Sequence, residues 1–113
     1  MSGITTHVLD VARGRPANGV PVVLEIQKEN GWREIGRALT DEDGRARQLL
    51  PTGTALTAGT YRLTFAIETY FRTEEIEGFY PEASITFHVR DANQHYHVPL
   101  LLSPYGYSTY RGS

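Results

Sequence analysis

Apolar and polar side chains alternate along much of this chain. Tyr61, Leu63, Phe65 and Ile67 are interleaved with Arg62, Thr64, Ala66 and Glu68, the period of two that a strand with one buried face requires. The same period returns at Ala83, Ile85, Phe87 and Val89, and again at Tyr96, Val98, Leu100 and Leu102. Less regular strands are predicted over residues 5–11, 20–27, 32–39 and 46–49. Between them stand Gly14, Pro16, Asn18 and Gly19, then Asn30-Gly31, then Asp43-Gly44. Asn-Gly and Asp-Gly tolerate positive φ and so mark tight turns. Residues 69–77 break the alternation. Tyr70, Phe71, Glu74 and Glu75 suit a short helix led by a Thr69 cap and stopped before Gly78 and Pro81. The prediction is an all-β sandwich of seven to eight strands in two sheets, with one short helix.

Composition narrows the function classes. A chain of 113 residues with 40% hydrophobic side chains suits a single domain, residues 1–113, with a sizeable core. Eleven Lys plus Arg against thirteen Asp plus Glu leave a formal charge of −2, without the basic excess of a phosphate-backbone binder. Nucleic acid is therefore not an expected partner. There is no cysteine, which excludes disulfides, thiolate zinc sites and a cysteine nucleophile. The longest apolar run, residues 98–102, is interrupted by Pro99 and is far short of the ~20 residues of a membrane span. Residues 1–6 show no leader pattern. A cytoplasmic, soluble protein without a membrane partner is expected.

Candidate chemistry concentrates on histidine. His7, His88, His95 and His97 are the side chains whose ordinary pKa lies nearest neutrality. With Tyr96, Val98 and Leu100 turned to the core, His95 and His97 point together to the opposite face. His88 falls on the solvent side of its strand and reads as a surface residue. His95-x-His97 with His7 has the nitrogen content of a zinc site, but no carboxylate stands at a supporting spacing, so no metal is expected. Asp41, Glu42, Asp43 and Gly44 lack the remaining ligands of a calcium loop and read as a polar hairpin turn. Ten of the eleven cations are arginines. Arg45 directly follows a turn glycine, where a guanidinium can be held for bidentate binding. The segment 107–113 reads as an aromatic, polar strand carrying Tyr107, Tyr110, Arg111, Gly112 and Ser113.

Two motifs carry a family resemblance. His7-Val8-Leu9-Asp10, followed by Gly14, Pro16, Ala17, Val20 and Val22, resembles the N-terminal motif of transthyretin and the transthyretin-like enzymes. The run from Tyr96 through His97, Pro99, Ser103, Pro104 and Gly106 to Ser108 resembles the other end of that pattern. The final Tyr110-Arg111-Gly112-Ser113 is similar to the 5-hydroxyisourate hydrolase branch rather than to the hormone carriers. The resemblance implies a catalytic set of His7, Arg45 and His97, and a substrate-binding wall of Tyr110, Arg111, Gly112 and Ser113. It implies hydrolysis of 5-hydroxyisourate in urate degradation, without a cofactor. It also implies a homotetramer, a dimer of dimers whose active sites lie between dimers. The alternative from another class is a non-catalytic carrier of small ligands on the same scaffold.

Overall fold

In the computed structural model, which describes residues 3–113, burial follows the alternation. Along β1 (Gly3–Asp10), Ile4, Thr6, Val8 and Asp10 are buried, while Thr5, His7 and Leu9 lie half-buried on the other face. β6 (Gly59–Phe65) buries Tyr61, Leu63 and Phe65 in the same way. One sheet has the order β2 (Arg15–Pro16), β1, β8 (His95–Ser103), β9 (Gly106–Thr109), and β5 (Arg45–Ala46) also pairs with β1. The other has the order β4 (Gly31–Leu39), β3 (Pro21–Lys28), β6, β7 (Ala83–Val89). The core lies between them, with Val8, Val20, Leu24, Leu63, Phe65 and Leu100 fully enclosed. All pairings are antiparallel except β1 with β8, which run parallel with Thr5 opposite His97. That pairing sets the two ends of the chain side by side.

The helix begins and ends earlier than its sequence suggests: α1 spans Ile67–Thr73, not 69–77, and its cap residue Ala66 offers no side-chain bond. Ile67, Tyr70 and Phe71 are all buried, the i, i+3, i+4 spacing of a helix face. Ile67 therefore belongs to the helix rather than to the preceding strand. The end is set by the backbone. Ile76 N–H donates to Phe71 O at 2.8 Å and Glu75 N–H to Arg72 O at 3.1 Å, with Glu75 at φ 57°, a Schellman closure. The helix is tied to β1 by Tyr70, whose hydroxyl donates to the buried Asp10 carboxylate at 2.7 Å. Burial, then the bond to Asp10, push the Tyr70 phenol up to about 12.

Three other expectations change. The β3–β4 hairpin turns on Glu29 and Asn30, with Lys28 opposite Gly31, so the turn falls one residue before the predicted Asn30-Gly31 pair and Gly31 is the first residue of β4. The strand expected at 46–49 pairs only through Arg45 and Ala46. The segment after it packs against β4 instead, where a Cβ on Gly36 would lie 1.7 Å from Leu49 O. Asp41 to Gly44 is not a hairpin turn but the crossing from β4 of one sheet to β5 of the other.

Candidate active site

That crossing places Arg45. Asp41 Oδ1 accepts the backbone N–H groups of Asp43 and Arg45 at 2.9 and 3.0 Å. These bonds, that from Arg45 first, hold the Asp41 carboxyl below its usual value of 3.8, so the brace persists at neutral pH. Gly44 then docks on β1. Its φ is +76°, its carbonyl accepts Val8 N–H at 2.7 Å, and an added Cβ would stand 2.4 Å from Val8 O. Only glycine permits that approach. The result is a register in which Arg45 lies directly opposite His7.

His7 is oriented by the same loop. Its Nε2 lies 2.7 Å from Asp43 O. A carbonyl only accepts, so Nε2 carries the proton and Nδ1 keeps a lone pair while the ring is neutral. His97, opposite Thr5 on β8, has its Nδ1 2.8 Å from Thr5 Oγ1. Burial lowers the His97 pKa below its usual 6.5, and the charges of Arg45, His7 and His95 act in the same direction. His97 is thereby neutral at pH 7 and available as a base.

The last residues close over it. β9 pairs with β8 as far as Thr109 opposite Leu100. Pro99 has no N–H to continue the ladder, and the register resumes at Gly112 opposite His97, with Gly112 N–H donating to His97 O at 2.8 Å. A Cβ on Gly112 would stand 2.5 Å from His97 Cδ2, so the tail can lie against the imidazole only because residue 112 has no side chain.

His7, Arg45, His97, Tyr110, Gly112 and Ser113 all line one basin of about 580 Å³, with Thr5, Arg47 and His95 in its wall. A larger basin of about 690 Å³ lies beside it under the 48–56 segment, sharing Thr5, Arg47 and His95 but none of the His7–Arg45–His97 group. Arg111 is not brought to the site. Its guanidinium lies 4.6 Å from the Tyr96 ring centroid and donates to Gln94 Oε1 at 3.0 Å, where it anchors the tail. His88 is exposed on β7, outside the basin lining. Among the described residues no group of three or more His, Asp or Glu is placed to hold a metal ion. Thr5 and Gly112's steric role were not singled out from sequence. Thr5 was legible as the neighbour of His7 on the outward face of β1, whereas the contact behind Gly112 was not.

Comparison with known proteins gives this geometry its relatives. The HIUase/Transthyretin family profile matches residues 4–112. A 5-hydroxyisourate hydrolase of Salmonella dublin is 49% identical over 110 residues, covering 97% of this chain and 80% of the relative. The solved structure of Klebsiella pneumoniae 5-hydroxyisourate hydrolase superposes with a TM-score of 0.85 at 35% identity, covering 99% of this chain and 100% of that one. Transthyretin from Sparus aurata superposes with a TM-score of 0.89 at 27% identity, covering 99% and 97%. By the extent of these matches, this chain belongs to the HIUase/Transthyretin family.

Proposed function

We propose that this protein is a 5-hydroxyisourate hydrolase of purine degradation. The carrying observation is that His7, Arg45, His97 and the terminal Ser113 line a single basin, although they come from four separate stretches of sequence. The reaction is attack of water on C6 and opening of the N1–C6 amide, giving 2-oxo-4-hydroxy-4-carboxy-5-ureidoimidazoline. It needs a base for water, a cation for the developing oxyanion and a proton for the leaving nitrogen.

Neutral His97 takes the water proton as the oxygen bonds to C6. Arg45 pairs with the negative charge on the carbonyl oxygen and, as a nearby cation, keeps His97 from being protonated beforehand. When the C6–N1 bond breaks, the imidazolium returns its proton to N1. His7, fixed through Asp43, presents Nδ1 as an acceptor that orients water or substrate. Tyr110, Gly112 and Ser113 wall the pocket around a planar, polar ring.

The functional unit in this reading is a homotetramer, a dimer of dimers with the basins between dimers. The surface supports association: Phe79 and Tyr105 are each 68% exposed. The carrier reading shares the fold, but a carrier does not require two imidazoles and a guanidinium converging on its ligand.

The test is to generate 5-hydroxyisourate with urate oxidase and follow the loss of its ultraviolet absorbance. Wild-type protein accelerates the decay, with or without a chelator. His97→Ala lowers kcat/KM by about 10²- to 10⁴-fold, the range of a positioned proton transfer, and His7→Ala, which removes an orienting acceptor, lowers it by about 10²-fold, each without loss of fold. Removing residues 110–113 abolishes turnover and leaves the tetramer's mass in solution unchanged for the remaining chain. Decay at the uncatalysed rate with wild-type protein refutes the reading.

A further inference from the structure

One hydroxyl holds two imidazoles. Thr5 Oγ1 lies 2.8 Å from His97 Nδ1 and 2.9 Å from His95 Nε2. The strand register produces this: Thr5 is opposite His97, Gly3 is opposite His95, and the two histidines share a face of β8. A hydroxyl has one proton, so it donates to one ring and accepts an N–H from the other. With both rings neutral, two arrangements satisfy all three groups. In the first, Thr5 donates to His97 Nδ1, and the His97 proton sits on Nε2. In the second, His97 Nδ1–H donates to Thr5, Thr5 donates to His95 Nε2, and His97 Nε2 keeps its lone pair.

The surroundings favour the second arrangement. Arg45 and Arg47 line the basin into which His97 is exposed. Guanidinium groups donate and never accept. A lone pair on His97 Nε2 is stabilised by that field, and an N–H there is not. His95 is exposed and forms part of the wall between the two basins, where its other nitrogen can carry a hydrated proton.

We propose that Thr5 and His95 are positioning residues that set the tautomer of His97, with Thr5 giving its proton to His95 Nε2 so that His97 holds Nδ1–H and presents Nε2 as the base. The catalytic consequence rests on the hydrolase reading; the hydrogen-bond order does not. A base of the wrong tautomer has its proton where its lone pair is needed, however well the ring is placed.

Two-bond ¹H–¹⁵N spectra of the histidine rings, recorded above pH 7 with His97 assigned by its loss in His97→Gln, read the tautomer without any substrate. Wild-type protein is expected to show His97 protonated at Nδ1. Thr5→Val, of the same shape without the hydroxyl, populates the Nε2–H form and lowers kcat by about 10²-fold, the lower end of what general base catalysis contributes, with KM near wild type. Thr5→Ser restores both readouts. A wild-type His97 protonated at Nε2, which needs no variant to fold, overturns the proposal, as does either readout staying at its wild-type value in Thr5→Val. An Nδ1–H tautomer in a protein that does not hydrolyse 5-hydroxyisourate sinks the hydrolase reading and leaves this one standing.

Discussion

Gly112→Ala tests the apposition of tail and imidazole with one added carbon. The new Cβ would stand 2.5 Å from His97 Cδ2 and 3.2 Å from Cγ. Non-bonded carbons rest at about 3.5–4.0 Å, so tail or ring must retreat by about 1 Å. Gly112 is not among the residues with positive φ, which makes the penalty one of contact rather than of backbone strain. A displacement of about 1 Å at reacting groups costs on the order of 10²-fold in rate. The tail meets β8 here through a single backbone bond, Gly112 N–H to His97 O, so folding stability should fall by no more than about 1 kcal/mol. The assay compares kcat/KM for 5-hydroxyisourate decay and the thermal midpoint of purified wild-type and variant protein. Activity equal to wild type would mean that the tail does not lie against His97 during turnover, and the derivation of the pocket wall would fall with it.

Three further outcomes are expected. His97 titrates below 6.5, so the folded protein binds fewer protons than the unfolded chain as pH drops: its contribution to stability is intact above pH 6.5 and is lost as pH falls through the lowered value. The acid limb of kcat/KM falls in the same window, and Arg45→Gln moves the His97 titration upward, toward 6.5, by NMR; an unmoved titration would remove Arg45 from the electrostatics of the site. Asp41→Ala releases the N–H groups of Asp43 and Arg45 and lowers kcat/KM more than Asp41→Asn, which retains Oδ1; equal rates would show that the brace is dispensable. Tyr70→Phe removes a bond to the buried Asp10 carboxylate and costs about 1.5–3 kcal/mol in urea unfolding, while the rate per folded molecule stays unchanged.

What was legible in the sequence is what has a period. The His95, His97 side of β8 follows from alternation alone, the strand at 5–11 was placed without its faces, and the family motifs then join His7, Arg45 and His97. What was not legible depends on contacts between distant segments. Ile67 continues the alternation of β6 on paper, yet its burial with Tyr70 and Phe71 assigns it to the helix. Residues 47–49 look like strand, but the Leu49 backbone docks on Gly36 in place of a ladder partner. Arg111 follows Tyr110 in the tail motif, and strand parity turns its guanidinium toward Tyr96. Thr5 carries no signal by type; its importance comes from a register between the two ends of the chain.

The proline in the middle of β8 has a mechanical consequence. Since Pro99 supplies no amide hydrogen, the main chain at Tyr110 is not zipped to its neighbour, and the closing segment is buckled at Thr109 and again at Gly112. Between those two points the segment is held by a side chain, Arg111 on Tyr96 and Gln94, and not by a backbone ladder. Tyr110 thus meets the basin from main chain held on either side of it, and the imidazole beneath Gly112 is clamped by a bond of its own.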